Sequence, residues 1–151
     1  MGIDKDINQA KFRNVYQKAS INLIYTCGWM RDQTKNIFEA QDITPQQFNI
    51  LRILRGSSPD PLSTLQIRER MLEKMSDTSR IVDRLIAKGL VKKVVCKKDR
   101  RLVDIIISDK GKKLLEKLDT RQDEMDNVLG NLTEKEATAL SDLLDKIRNS
   151  E

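Results

Sequence analysis

Apolar residues along the chain recur mainly at helical spacing. From about Asn8 to Ala40, Phe12, Val15/Tyr16, Ala19, Leu23, Cys27, Met30 and Ile37 form a stripe that Ile21, Ile24 and Tyr25 widen. This pattern predicts one long helix. Gly28 marks a place for a bend or break, because a glycine inside a helix costs about 1 kcal/mol relative to alanine. Thr44-Pro45-Gln46-Gln47 predicts the next start. Thr44 is the N-cap, Pro45 takes the first helical position and Gln47 completes a capping box. Phe48, Leu51, Ile53 and Leu54 give this helix its apolar face, and Gly56 is read as its stop. Beyond the loop Ser57-Ser58-Pro59-Asp60-Pro61, Ser63-Thr64-Leu65-Gln66 opens a short helix to about Met71 with a second box. Ile81, Val82, Leu85 and Ile86 then mark another helix over about 74–88, ended by Gly89.

The period changes after Gly89. Val91–Cys96 and Leu102–Ile107 are rich in β-branched residues and flank the polar stretch Lys97-Lys98-Asp99-Arg100-Arg101. That is the pattern of a β-hairpin with a cationic tip. Ser108 caps a long helix through about Val128, Gly130-Asn131 break it, and Thr133 with Glu136 opens a last helix carrying Leu140, Leu143, Leu144 and Ile147. The fold class expected is therefore mainly α with a small β-hairpin wing.

Composition narrows the chemistry. Of 151 residues, 38% are hydrophobic and 34% charged, which is apolar-poor and charge-rich for a globular domain. Such a chain has a thin core of its own, so sharing apolar surface with a second subunit is expected. There is no histidine, which excludes histidine triads, histidine bases and histidine metal sites. The closest two of six glycines are 19 residues apart, so no glycine-rich phosphate loop exists. Cys27 and Cys96 make neither a disulfide framework nor a CxxC metal site. No catalytic residues, metal or cofactor are expected, and no acid/base pair of carboxylates stands out. No apolar run approaches a membrane span, and the start MGIDKDINQAKF lacks signal-peptide character. The expected location is the cytoplasm, with no membrane partner.

The net charge of +5 is unevenly spread. Residues 1–60 hold 8 basic and 6 acidic side chains, residues 61–110 hold 13 and 7, and residues 111–151 hold 7 and 10. A basic middle segment fits a polyanion-binding module. Its order is helix, helix, helix, hairpin, which reads as a helix-turn-helix followed by a wing. In such modules the second helix enters the major groove by its N-terminal end. That end carries Lys74, Ser76, Asp77, Thr78, Ser79 and Arg80. The short hydroxyls allow close approach, and an arginine reaches phosphate or a guanine edge. The wing puts Lys97, Lys98, Arg100 and Arg101 on a loop suited to a minor groove. Each feature has a plainer reading: the Ser/Thr/Asp run as helix caps, and the cationic loop as solvated edge protection.

Taken together these segments resemble the MarR (multiple antibiotic resistance regulator) family of winged-helix transcription factors. The residues that carry the resemblance are 44–51 (TPQQFNIL), 79–91 (SRIVDRLIAKGLV) and the wing Asp99-Arg100-Arg101, followed by Val103 and the start Ser108-Asp109-Lys110-Gly111. The match runs without gaps from 44 to about 118; elsewhere it lies in the helix pattern alone. The resemblance implies a homodimer, with an N-terminal dimerisation helix over 1–43, a DNA-binding lobe over 44–107 and C-terminal dimerisation helices over 108–151. It implies a repressor of a pseudo-palindromic double-stranded operator and a crevice for a small-molecule effector, aromatic or amphipathic. It also implies that Asp99 orients Arg101, the wing arginine that contacts DNA.

Two departures stand out. The turn Leu72-Glu73-Lys74-Met75 lacks the glycine often found there, and Lys74 stands where a serine often begins the recognition helix. The helix start is therefore open between 74 and 76. Tyr16, Tyr25, Trp29 and Phe38 are candidates for the effector crevice, and each also reads as an ordinary core or dimer-interface residue. A redox-responsive regulator using Cys27 is an alternative, although Cys27 lies far along the first helix and also reads as a small apolar residue. A winged-helix scaffold that binds protein is another, against which the cationic wing argues.

Overall fold

The structure, a computed structural model, describes residues 2–149. Helices α1 (Ile3–Asp6), α2 (Val15–Glu39) and α3 (Pro45–Ser57) come first. Strand β1 (Leu62–Ser63), helices α4 (Thr64–Arg70) and α5 (Thr78–Ala87), and strands β2 (Val91–Val95) and β3 (Val103–Ile107) follow. Then come α6 (Asp109–Asp119), α7 (Gln122–Asp126), a 3-10 turn (Asn127–Leu129) and α8 (Glu134–Arg148). The chain is mainly helical with a small antiparallel sheet, the architecture expected of a winged helix. It forms two compact units: residues 37–123, and residues up to 36 together with those from 124. The first unit is wider than the 44–107 lobe read from the sequence, because Leu115 and Leu118 of α6 are fully buried within it.

The core of the 37–123 unit is built from the apolar faces the periodicity marked. Ile50, Leu51 and Leu54 of α3, Ile67 of α4, and Val82 and Leu85 of α5 are all buried. Met71, Leu90, Val91, Ile105 and Ile107 extend this core to the sheet. Phe38 packs on Phe48 with ring centroids 5.0 Å apart. The sheet order is β1-β3-β2, antiparallel throughout, with Val91 opposite Ile107 and Val95 opposite Val103. Strand β1 pairs Leu62 with Ile105. Two residues are too few to display a period-2 pattern, so it went unnoticed in the sequence.

In the other unit α8 has no buried residue, although it carries Leu140, Leu143 and Ile147. Val15, Tyr16, Ile24, Tyr25 and Trp29 of α2 are likewise exposed.

Four boundaries differ from expectation. Helix α2 starts at Val15, not near Asn8. The Asn14 side chain accepts the Gln17 N–H at 2.9 Å, and the Gln17 side chain accepts the Arg13 N–H at 2.6 Å. This is a local cap that the apolar stripe through Phe12 concealed. Gly28 causes no break: α2 is continuous across it. Gly56 does not stop α3, which ends one residue later at Ser57. The helix after Ser108 stops at Asp119, not near Val128. There the Thr120 hydroxyl donates to the Lys117 carbonyl at 2.6 Å, a side-chain bond that competes with helix continuation.

Candidate nucleic-acid interface

Helix α4 is opened by a complete capping box between Ser63 and Gln66. Helix α5 begins at Thr78, because the Asp77 carboxylate accepts the Arg80 N–H at 3.2 Å and so caps it. Both earlier starts, 74 and 76, are thereby corrected, and Lys74 and Ser76 fall in the turn. The missing glycine of that turn is compensated by side chains. The Leu72 N–H donates to the Asn49 side-chain oxygen at 2.9 Å, and the Gln46 amide donates to the Glu73 carboxylate at 3.2 Å. The Lys74 ammonium donates to the Glu69 carbonyl. A helix-turn-helix turn therefore holds its shape here through α3, with no residue in the left-handed region.

The far end of α5 is also fixed. Gly89 has φ +71°, which favours glycine, and the N–H groups of Gly89 and Leu90 return to the carbonyls of Ile86 and Leu85. Ser108 then joins this end to α6. Its N–H donates to the Leu90 carbonyl at 3.0 Å, its hydroxyl donates to the Gly89 carbonyl at 2.6 Å, and the Ser108 hydroxyl oxygen in turn accepts the Gly111 N–H at 3.1 Å. The Lys110 ammonium donates to the Lys88 carbonyl at 2.8 Å. Three successive carbonyls past α5 are thus satisfied by the first turn of α6, which also follows directly from β3. Helix and wing are set on one frame.

On the wing, Arg101 folds onto Asp99 as a fork. Its Nε and one terminal nitrogen donate to the two carboxylate oxygens, both at 3.1 Å, and its backbone N–H donates at 3.0 Å. These bonds hold the Asp99 carboxyl below the usual aspartate range and push the Arg101 guanidinium above its ordinary value. Arg101 remains largely exposed despite the fork, so its free edge faces solvent. Lys97, Lys98 and Arg100 are exposed beside it.

The residues marked at the start of α5 divide. Ser79 and Arg80 are exposed, and Ser76 is half-buried. Lys74 and Asp77 are exposed but already bonded, to Glu69 and to the helix start. Thr78 is only 3% exposed, and its hydroxyl has no hydrogen-bond partner. It faces inward and is not a surface reader. Between α4 and this helix start lies an open depression of about 460 Å³, with Arg68 and Ser79 on its walls. Sequence reading missed Asn49 and Gln46, the residues that shape the turn. The available signal was a polar Asn49 beside the apolar run Ile50-Leu51.

Of the four aromatic candidates, Tyr16, Tyr25 and Trp29 are exposed on α2, whereas Phe38 is buried against Phe48 in the 37–123 unit. Phe38 is a core residue. Cys27 is exposed and Cys96 half-buried, both as free thiols. Among the described residues no group of three or more metal-ligating side chains comes together. No helix among them is long and apolar enough to cross a membrane.

Helices α3, α4 and α5, the last two each capped by a side chain, followed by a cationic antiparallel wing, define a winged helix-turn-helix protein. Comparison with known proteins gives the family. The MarR family model matches residues 41–102. The chain is 32% identical to a MarR transcription factor from Planctomyces limnophilus, whose crystal structure it matches over 89% of its own length and 98% of that chain, with a TM-score of 0.67. It is 36% identical over 99 residues to the HTH-type transcriptional repressor MdtR of Bacillus subtilis (strain 168), a match that spans 65% of this chain and 63% of that repressor. Its fold is also similar to that of a mutant MarR from E. coli complexed with operator DNA, at 23% identity, covering 83% of this chain and 89% of that one, with a TM-score of 0.75. The chain belongs to the MarR family of transcriptional regulators. The comparisons do not favour the thiol-switch reading of Cys27.

Proposed function

We propose that the protein is a homodimeric DNA-binding regulator that represses transcription from a pseudo-palindromic operator. The observation that carries this reading is the shared frame of α5 and the wing. It sets Ser79 and Arg80 at one exposed helix start and Lys97, Lys98, Arg100 and Arg101 on an exposed loop. In the working arrangement Arg80 reads a base edge in the major groove, Ser79 approaches closely, and Ser76 and Lys74 contact the backbone. Asp77 sets the helix start, and Asp99 aims Arg101 at the minor groove while Lys97 and Lys98 act as point charges. The bound E. coli relative and the repressor function of the Bacillus subtilis relative support this direction.

The exposed apolar residues on α2 and α8 support a dimer. Val15, Tyr16, Ile24, Leu143 and Ile147 are too many apolar side chains to leave in water. The dimer buries more than about 2,000 Å² in total, at the obligate end of the range. Tyr16, Tyr25 and Trp29 are the aromatic groups offered to an effector, and the regulator works where the chromosome is, in the cytoplasm.

Selection from a library of random 30-base-pair duplexes tests the reading. The expected product is a duplex with two inverted half-sites that binds two chains. Recovery of no preferred duplex, or of a single half-site bound by one chain, refutes it.

A further inference from the structure

An apolar patch sits where a phosphate-binding surface has no use for one. Met75 is 95% exposed, Leu72 85% and Leu65 64%. Met75 and Leu65 line the depression between α4 and the start of α5, beside Arg68 and Ser79. The patch therefore lies on the same helix start that presents Ser79 and Arg80. Large aliphatic side chains do not bind phosphate, and water penalises their exposure. The lobe around them is strongly basic, with 13 cationic against 7 acidic side chains over residues 61–110. The occupant must therefore belong to a polyanion and still offer a small apolar group within an otherwise polar surface. Duplex DNA has one such group in its major groove, the C5-methyl of thymine.

We infer that Met75, backed by Leu65, is a specificity-determining contact that reads a thymine methyl in each half-site. The turn explains how a flexible methionine can serve this role. The Leu72 N–H is held by the Asn49 side chain and the Ser76 N–H by the Glu73 carbonyl, so bonded backbone flanks Met75 on both sides and its side chain projects from a fixed base. Its unbranched thioether adapts to the groove wall. The inference rests on the DNA reading above and adds a base preference that the polar residues do not encode.

The test uses the selected duplex and the full-length protein. Each thymine is replaced singly by deoxyuridine, which removes the methyl and leaves every hydrogen-bonding group. Wild-type protein should show one sensitive thymine per half-site, weakened about fourfold, the value of one buried methyl. Met75→Ser should lose that sensitivity, and Leu65→Ser should reduce it, while both retain wild-type melting because the residues are exposed. If deoxyuridine has no effect at any position, or weakens wild type and Met75→Ser equally, the inference is overturned and the DNA reading stands. If no duplex is selected at all, both fall.

Discussion

Gly111→Ala puts two physical effects in opposition, and the structure says which wins. Gly111 lies in the first turn of α6, where helix propensity favours alanine by up to about 1 kcal/mol. A Cβ there would sit 2.3 Å from the Leu90 carbonyl oxygen and 2.8 Å from the Ile107 Cγ1. The first of these is backbone and cannot swing aside. Relief requires α6 to back away from the end of α5, which stretches the Ser108 bonds to Leu90 and Gly89. Overpacking costs about 1–3 kcal/mol, and weakening one or two hydrogen bonds costs about 1 kcal/mol each. Against a propensity gain of about 1 kcal/mol, the net loss is about 1–4 kcal/mol. At this chain length that lowers Tm by about 2–16 °C. Thermal and urea unfolding, at matched protein concentration, provide the assay. Gly56→Ala is the control: it lies in α3 with nothing within 4 Å of its added Cβ, and should be neutral or stabilising by up to about 1 kcal/mol. A Gly111→Ala protein as stable as wild type would show that α6 is not seated on the Leu90 carbonyl, and the common frame of helix and wing would lose its basis.

Arg101→Ala should weaken selected-duplex binding about 5- to 150-fold. Asp99→Ala should weaken it too, though removing a negative charge alone would tighten it, so tighter binding in a gel-shift titration refutes an orienting fork. Thr78→Val removes a buried hydroxyl without a partner and should raise stability by about 1 kcal/mol; a Tm lower by more than about 2 °C would reveal an acceptor or donor for that hydroxyl. With no histidine in the chain, DNA affinity should stay flat between about pH 5.5 and 7.5, and a tenfold change across that window contradicts this. On the acid side, hydrogen bonds from Arg101, Arg55 and Thr133 hold the carboxyls of Asp99, Asp119 and Glu136 low. The stability they supply is present above their unfolded values near 4 and is lost as pH falls through the folded ones. Acid titration of unfolding free energy should therefore steepen only below about pH 5.

What was legible in the sequence was local. The boxes Thr44–Gln47, Ser63–Gln66 and Thr133–Glu136 are each written within four residues, and all three form. Gly89 and Ser108 end and begin helices as read. Where several cap-competent residues stood in a row, as in Ser76-Asp77-Thr78-Ser79, the pattern could not choose among them. The choice depended on which side chain packs inward, and Thr78 does. The turn before α5 was opaque for a different reason: Asn49 and Leu72 are 23 residues apart, so no local window contains the bond that shapes it. Phe38 was ambiguous because an aromatic on a helix stripe suits a core and a ligand site equally, and the tertiary partner Phe48 decides it.

The central claim, that α5 and the wing grip DNA as one charged surface, is tested most directly by the salt dependence of binding to the selected duplex. If a dimer engages about 6–10 phosphates, log affinity should fall against log salt with a slope of about −5 to −9, a loss of about 10³–10⁵ between 50 and 200 mM. Replacing Lys97 and Lys98 by glutamine should make the slope shallower by up to about 4 while leaving preference among sequences unchanged. A slope near zero, or a double variant that changes sequence preference and not the slope, would contradict the account.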